Sequence, residues 1–209
     1  MLRILLADDH AVVREGIRSL LERKGLSVVA EAASGLEAVK LAQSSGADIA
    51  VLDVAMPGLN GLDAARAIMK QAPRLRVVLL TMHTENAYVV EALKAGVKAY
   101  VLKTQATSDL LQAIEATVAG ETYLSPGISE TLVEAMSRGE ALGADPLTAR
   151  ERQVLQLIAE GHSTKEVANV LGISTKTADS HRTHLMRKLE VHETTGLVRY
   201  AVRMGLIQV

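Results

Sequence analysis

The 209-residue chain has no cysteine, no phenylalanine and no tryptophan, and only four tyrosines and four prolines. Without cysteine, disulfides and thiolate metal sites are excluded, which suits a reducing compartment. Without Phe or Trp the core has to be aliphatic, and recognition of single-stranded nucleic acid by stacking bases on aromatic rings is disfavoured. No apolar stretch approaches the ~18 residues that a membrane helix needs. Met1-Leu2-Arg3 runs straight into a strand pattern, which argues against a signal peptide, so a cytoplasmic location is expected. A large net charge is missing too, the balance being −1. That figure hides an asymmetry. Residues 1–145 carry 14 Lys and Arg against 18 Asp and Glu, or −4, while residues 146–209 carry 9 against 6, or +3, with four of the six His. An acidic N-terminal part followed by a small basic one points to nucleic acid at the C-terminus.

Within the first 120 residues, apolar runs alternate with amphipathic helical patterns, the signature of a parallel sheet with crossover helices. Strands are predicted near 3–7, 27–32, 49–52, 76–81 and 99–102, and helices near 11–23, 35–44, 61–71, 85–95 and 107–119. From 121 to 146 the pattern loosens through Ser125-Pro126-Gly127 and a short helical stretch, Ser129–Met136, to Gly139 and Gly143, as a linker would. Everything after Pro146 reads as helix. Thr148-x-x-Glu151 and Ser163-x-x-Glu166 both have the form of a capping box. Gly172 marks a turn, Ser174 can cap a long helix to about Leu189, and a last helix runs from Thr194 to Met204. The domains are therefore expected at 1–120 and 147–209, joined by 121–146.

Asp8 and Asp9 close the first apolar run, Asp53 the third, Thr81 the fourth, and Lys103 follows the fifth. In an open α/β sheet the ligand crevice lies beyond the carboxyl ends of the strands, so these residues converge there. Three carboxylates alone would repel, and a hard divalent cation such as Mg²⁺ relieves this. Any one of these Asp residues could equally be a turn or N-cap residue. The set, with Met56-Pro57-Gly58 and Gly61 behind Asp53, resembles the receiver domain of a two-component response regulator over residues 1–120. The resemblance implies a flavodoxin-like α/β fold with five parallel strands in the order 2-1-3-4-5. It further implies that Asp53 is the phosphoacceptor. Mg²⁺ would be bound by Asp9, Asp53 and the backbone carbonyl of Ala55, with Asp8 acting through water. Lys103 and Thr81 would contact phosphoryl oxygens. Tyr100 occupies the family's aromatic switch position with Thr81, although a half-buried strand Tyr would look the same. Ala55 and His83 stand where residues face the phosphoryl group in the family, and Ala55 is smaller than usual. His10 reads as a capping or surface residue, because no second His lies at ligand spacing.

The stretches Leu147–Leu155, Gly161–Ala168 and Leu171–Ser174 resemble the LuxR-type helix-turn-helix, with Thr175–Leu189 as recognition helix. Ala178, Leu185 and Leu189 share a face that should pack inward, with His181 beside them. Lys176, Asp179, Ser180, Thr183 and Arg187 lie opposite, with Arg182 at the edge. Together with Lys165 and Thr175 these are the expected DNA contacts. A helix in the major groove needs donors and acceptors for base edges and basic groups for the flanking phosphates. Asp179 departs from the family, where a basic residue is common.

Both halves together resemble a NarL/FixJ-type response regulator. The resemblance implies a transcription factor phosphorylated on Asp53 by a sensor histidine kinase. It also implies double-stranded DNA as ligand, a homodimer as the active form and RNA polymerase as a further partner, with no membrane association and no enzymatic activity beyond self-phosphorylation and self-dephosphorylation. Two other readings stay open at this point. One is a regulator that acts without phosphorylation. The other is an aspartyl-nucleophile phosphatase, whose chemistry wants a second Asp where this chain has Ala55. A small-molecule-sensing LuxR regulator would need an aromatic pocket and a different N-terminal domain.

Overall fold

The computed structural model describes residues 1–82, 86–138 and 146–207, in two compact units, Met1–Asp145 and Pro146–Val209. In the first unit the strands are β1 Arg3–Ala7, β2 Ser27–Ala32, β3 Ile49–Asp53, β4 Arg76–Thr81, β5 Ala99–Leu102 and β6 Tyr123–Leu124. All pair in parallel, in the order β2-β1-β3-β4-β5-β6. The five expected strands are present in the expected order 2-1-3-4-5, and a short sixth extends the sheet beyond β5. Tyr123 and Leu124 pair with Ala99 and Tyr100 inside the stretch read as linker. A two-residue strand is too short to show an alternation of side chains, so periodicity could not reveal it.

The helices α1 Ala11–Arg23, α2 Gly35–Ser44, α3 Gly61–Gln71, α4 Asn86–Lys94 and α5 Ala106–Ala119 cross between the strands, and α6 Pro126–Ser137 follows β6. Four central strands are buried almost throughout, which is why they read as continuous apolar runs rather than alternating ones. Ile4, Leu6, Val51, Val78, Leu80 and Val101 form one face of the sheet and pack against Ile17 and Leu21 of α1 and Leu110, Ala113 and Ile114 of α5. The opposite face meets α2 and α3. Its helices are set by local chemistry: Ser34 caps α2 by accepting the N–H of Glu37, and Asn60 caps α3 by accepting that of Asp63.

The second unit consists of α7 Ala149–Ala159, α8 Thr164–Leu171, α9 Thr175–Lys188 and α10 Thr194–Arg203. Both capping boxes form, Thr148 with Glu151 and Ser163 with Glu166. Gly172 takes φ 63° to end α8, and Ser174 caps α9 by accepting the N–H of Thr177. A small aliphatic core of Val154, Leu155, Val167, Ala178, Leu185, Leu197 and Ala201 joins the four helices. No described helix is long and apolar enough to cross a membrane.

Candidate functional site

The sheet delivers its strand-end residues to one place. Asp53 is the last residue of β3, Thr81 the last of β4, Asp8 follows β1 and Lys103 follows β5. Asp8, Asp53 and Thr81 are at most 1 % exposed. Lys103 Nζ lies 2.8 Å from Asp8 Oδ2 and 2.7 Å from Asp53 Oδ2, one ammonium between two buried carboxylates. Backbone N–H groups hold the other oxygens: His10 donates to Asp8 Oδ1 at 2.9 Å and Ala55 to Asp53 Oδ1 at 3.3 Å. Asp9 is the more open acid, with its side chain 31 % exposed and the His10 imidazole 2.8 Å away.

Among the described residues, Lys103 is the cation paired with these two buried carboxylates, one positive charge against two negative ones. Burial pushes the Asp53 carboxyl up to about 6, the charge of Asp8 adds to this, and Lys103 and the Ala55 N–H only partly offset it. For Lys103, burial pushes the ammonium down, but Asp53 and Asp8 more than reverse that and hold it above its ordinary value. Ligand atoms of Asp8, Asp9, His10 and Asp53 all fall within 4.8 Å of one another. Clustered hard oxygen donors with a deficit of countercharge fit a hard divalent cation.

Two devices keep the loop behind Asp53 in place. At Gly61 a Cβ would stand 2.0 Å from the Asp53 carbonyl oxygen, so only glycine allows α3 to start there. Asn60, fully buried, donates its Nδ2 hydrogen to Asp63 Oδ2, and Arg66 joins Asp63 Oδ1 to Glu91 of α4 at 3.0 and 2.8 Å. Sequence reasoning missed this chain of contacts, as it missed Arg14, whose Nη1 donates to the Asp8 carbonyl at 2.7 Å. The i, i+3 spacing of Asn60, Asp63 and Arg66 was its visible trace.

Tyr100 sits on β5 opposite Leu79, and Thr81 pairs with Leu102. The Tyr100 ring is 2 % exposed, so it already lies inward. His10 precedes α1 as N-cap residue without a side-chain capping bond; its ring rests on Asp9 instead. His83 lies outside the described residues.

On the second unit, Thr175, Lys176, Asp179, Ser180, Thr183 and Arg187 are all exposed along α9, and Lys165 is exposed on α8. Asp179, Ser180, Thr183, His184 and Arg187 line one shallow depression. Arg182 does not join them. Its Nη2 donates to Thr194 Oγ1 of α10 at 2.8 Å. His184 does join them, beside Arg187 and 3.9 Å from Glu151. Its spacing from Lys176, Ser180 and Arg187 would have found it. Ser180 donates its hydroxyl hydrogen to the Lys176 carbonyl at 2.9 Å.

Comparison with known proteins places both units. Residues 4–115 match the response regulator receiver domain, and residues 145–201 match the bacterial regulatory proteins of the luxR family. The transcriptional regulatory protein MctR of Rhizobium johnstonii is 36 % identical over 99 % of this chain and 95 % of its own length. The response regulator UvrY of Escherichia coli is 34 % identical over 99 % and 96 %. Among solved structures, RcsB of Salmonella enterica serovar Typhimurium, bound to promoter P1flhDC in the presence of the phosphomimetic BeF₃⁻, is similar with a TM-score of 0.70. It is 31 % identical, over 95 % of this chain and 97 % of that one. The chain belongs to the two-component response regulators of the NarL/FixJ type, in which a receiver domain precedes a LuxR-family DNA-binding domain.

Proposed function

We propose that this regulator accepts a phosphoryl group on Asp53 from a sensor histidine kinase in the cytoplasm and, as a homodimer, binds double-stranded DNA through α9. The observation that carries the reading is Lys103, held between Asp8 and Asp53 at 2.8 and 2.7 Å where the strands end. A carboxylate oxygen of Asp53 attacks phosphorus, the bond from phosphorus to the donor's imidazole nitrogen breaks, and an acyl phosphate results. Such a transfer is mostly positioning and neutralisation of charge. Lys103 supplies one fixed cation and, once Asp53 is modified, pairs with a phosphoryl oxygen. The Thr81 hydroxyl bonds a second one. Asp8, Asp9, Asp53 and the Ala55 carbonyl would hold Mg²⁺, which when bound neutralises charge developing on the phosphoryl oxygens. Ala55 offers no carboxylate to protonate a leaving group, which disfavours the phosphatase reading and favours self-phosphorylation and self-dephosphorylation as the catalysis of this site. RNA polymerase is the downstream partner that promoter binding would serve.

For α9, Thr183, Ser180 and Asp179 are the candidates for base edges, and Lys165, Thr175, Lys176 and Arg187 for the backbone. The RcsB structures on promoter DNA support this use of the unit. Intact-mass spectrometry after incubation with Mg²⁺ and a small acyl phosphate tests the chemistry. One alkali-labile phosphoryl group is expected, lost in Asp53→Asn and much slowed in Asp9→Ala. Full labelling of Asp53→Asn would refute the assignment.

A further inference from the structure

Ser125 stands at the N-cap of α6, where a serine hydroxyl ordinarily accepts an early N–H of its own helix. Here it makes no such bond. Its oxygen instead accepts the N–H of Leu102 at 3.1 Å, and its hydrogen is donated to Asp109 Oδ2 at 2.7 Å. Asp109 Oδ1 accepts in turn from Ser108 Oγ at 2.8 Å. Ser125 is fully buried, Asp109 is 7 % exposed and Leu102 8 %. Backbone bonds run alongside, from Ser125 N–H to the Tyr100 carbonyl at 3.1 Å and from Tyr123 N–H to the Lys98 carbonyl at 2.8 Å. A Cβ on Gly127 would lie 3.2 Å from Leu102 Cδ1, so the first turn of α6 rests on that residue.

The start of α6 is thus fastened to the strand that carries Tyr100 and ends one residue before Lys103. A hydrogen bond to a buried carboxylate is short, strong and costly to break, so it transmits a displacement instead of absorbing it. The Ser125 side chain therefore serves β5 and α5 instead of capping α6, while its carbonyl still accepts the N–H groups of Ile128 and Ser129. We propose that Asp109 and Ser125 form a joint coupling Lys103 to α6. When Lys103 shifts toward a phosphoryl group, the Leu102 N–H passes the movement to Ser125 and the joint carries it into α6, the helix that precedes the DNA-binding unit in the chain. The proposal rests on Asp53 being the phosphoacceptor.

Full-length wild type, Ser125→Ala, Ser125→Thr and Asp109→Ala are compared with and without acetyl phosphate and Mg²⁺, reading phosphoryl occupancy by mass and hydrogen exchange of peptides within 126–138. In the wild type, phosphorylation should alter exchange in α6 by roughly tenfold, the scale set by a hydrogen bond to a charged group. Ser125→Ala should reach full occupancy while the two forms exchange nearly alike, and Ser125→Thr, which keeps the hydroxyl, should restore the difference. Asp109→Ala breaks the same bond from its other end and should behave as Ser125→Ala, which keeps the test alive if either variant fails to fold. A merely structural serine would speed exchange equally in both forms and preserve their ratio, which overturns the joint. A labelled wild type whose α6 does not respond overturns it as well. A wild type that takes no label removes the phosphoacceptor reading itself, and the joint with it.

Discussion

A Cβ placed on Gly61 would lie 2.0 Å from the carbonyl oxygen of Asp53, 2.8 Å from its carbonyl carbon and 3.0 Å from Val54 Cα. All three are backbone atoms, so no side chain can turn aside. Gly61→Ala should therefore push the Asp53 backbone away from Lys103, costing about 1–3 kcal/mol or somewhat more in stability and slowing phosphorylation. Gly16→Ala is the control: it sits in α1 with nothing within 4 Å, and should stabilise the fold by up to about 1 kcal/mol with labelling unchanged. Denaturant unfolding and the labelling time course measure both. Wild-type labelling in a stably folded Gly61→Ala would show that the α3 start does not position Asp53.

Charge makes a second prediction. The Asp53 carboxyl is raised from 3.8 to about 6, burial being the largest cause. A carboxyl that is harder to ionise in the fold than in the unfolded chain weakens the fold whenever it is charged. That cost is absent below about pH 3.8, grows through the interval and is complete above about pH 6, reaching roughly 3 kcal/mol. Asp53→Asn should accordingly melt higher than wild type at about pH 7.5, with the gap closing as the pH falls toward 4. Millimolar Mg²⁺ should narrow the gap by stabilising the wild type alone. Equal melting temperatures at neutral pH would mean that Lys103 fully compensates the buried carboxylate.

Asp8, Asp53, Thr81 and Lys103 were legible in the sequence because each ends its own apolar run, and a parallel sheet brings such ends together without any knowledge of contacts. The capping boxes were legible for a similar reason, since their chemistry is contained in four successive residues. What stayed hidden depends on pairing across the sheet or between helices. β6 is two residues long, Ser125 has the outward form of an ordinary N-cap, and Asp109 that of a first-turn acid; only the fold shows that they bond to each other. Helical spacing set Arg182 at the edge of the groove face, but Thr194 of α10 takes its guanidinium.

The last turn of α9 holds two adjacent cations with different surroundings, which makes the final prediction. Lys188 Nζ lies 2.8 Å from Glu151 Oε2 of α7. Burial pushes the Glu151 carboxyl up, but hydrogen bonds from Lys188 and Thr148 more than reverse this and bring it down to about 2. Arg187 stays on the exposed face with Thr183 and Ser180. Lys188 is therefore committed to holding α9 on α7, while Arg187 is available to a phosphate. Arg187→Ala should weaken binding to all DNA sequences alike and lower the salt slope by about one unit, with thermal stability unchanged. Lys188→Ala should keep the slope and cost about 1 kcal/mol or less in stability, since the pair is partly exposed. Thr183→Ala should do neither, but lower the preference for one base by roughly 1–3 kcal/mol if its contact is a good one. Binding titrations of the three variants across a salt series, on one operator and on random duplex, separate these outcomes. A slope reduced in Lys188→Ala but intact in Arg187→Ala would mean that α9 meets the duplex with a face rotated by about one residue, some 100° around the helix axis.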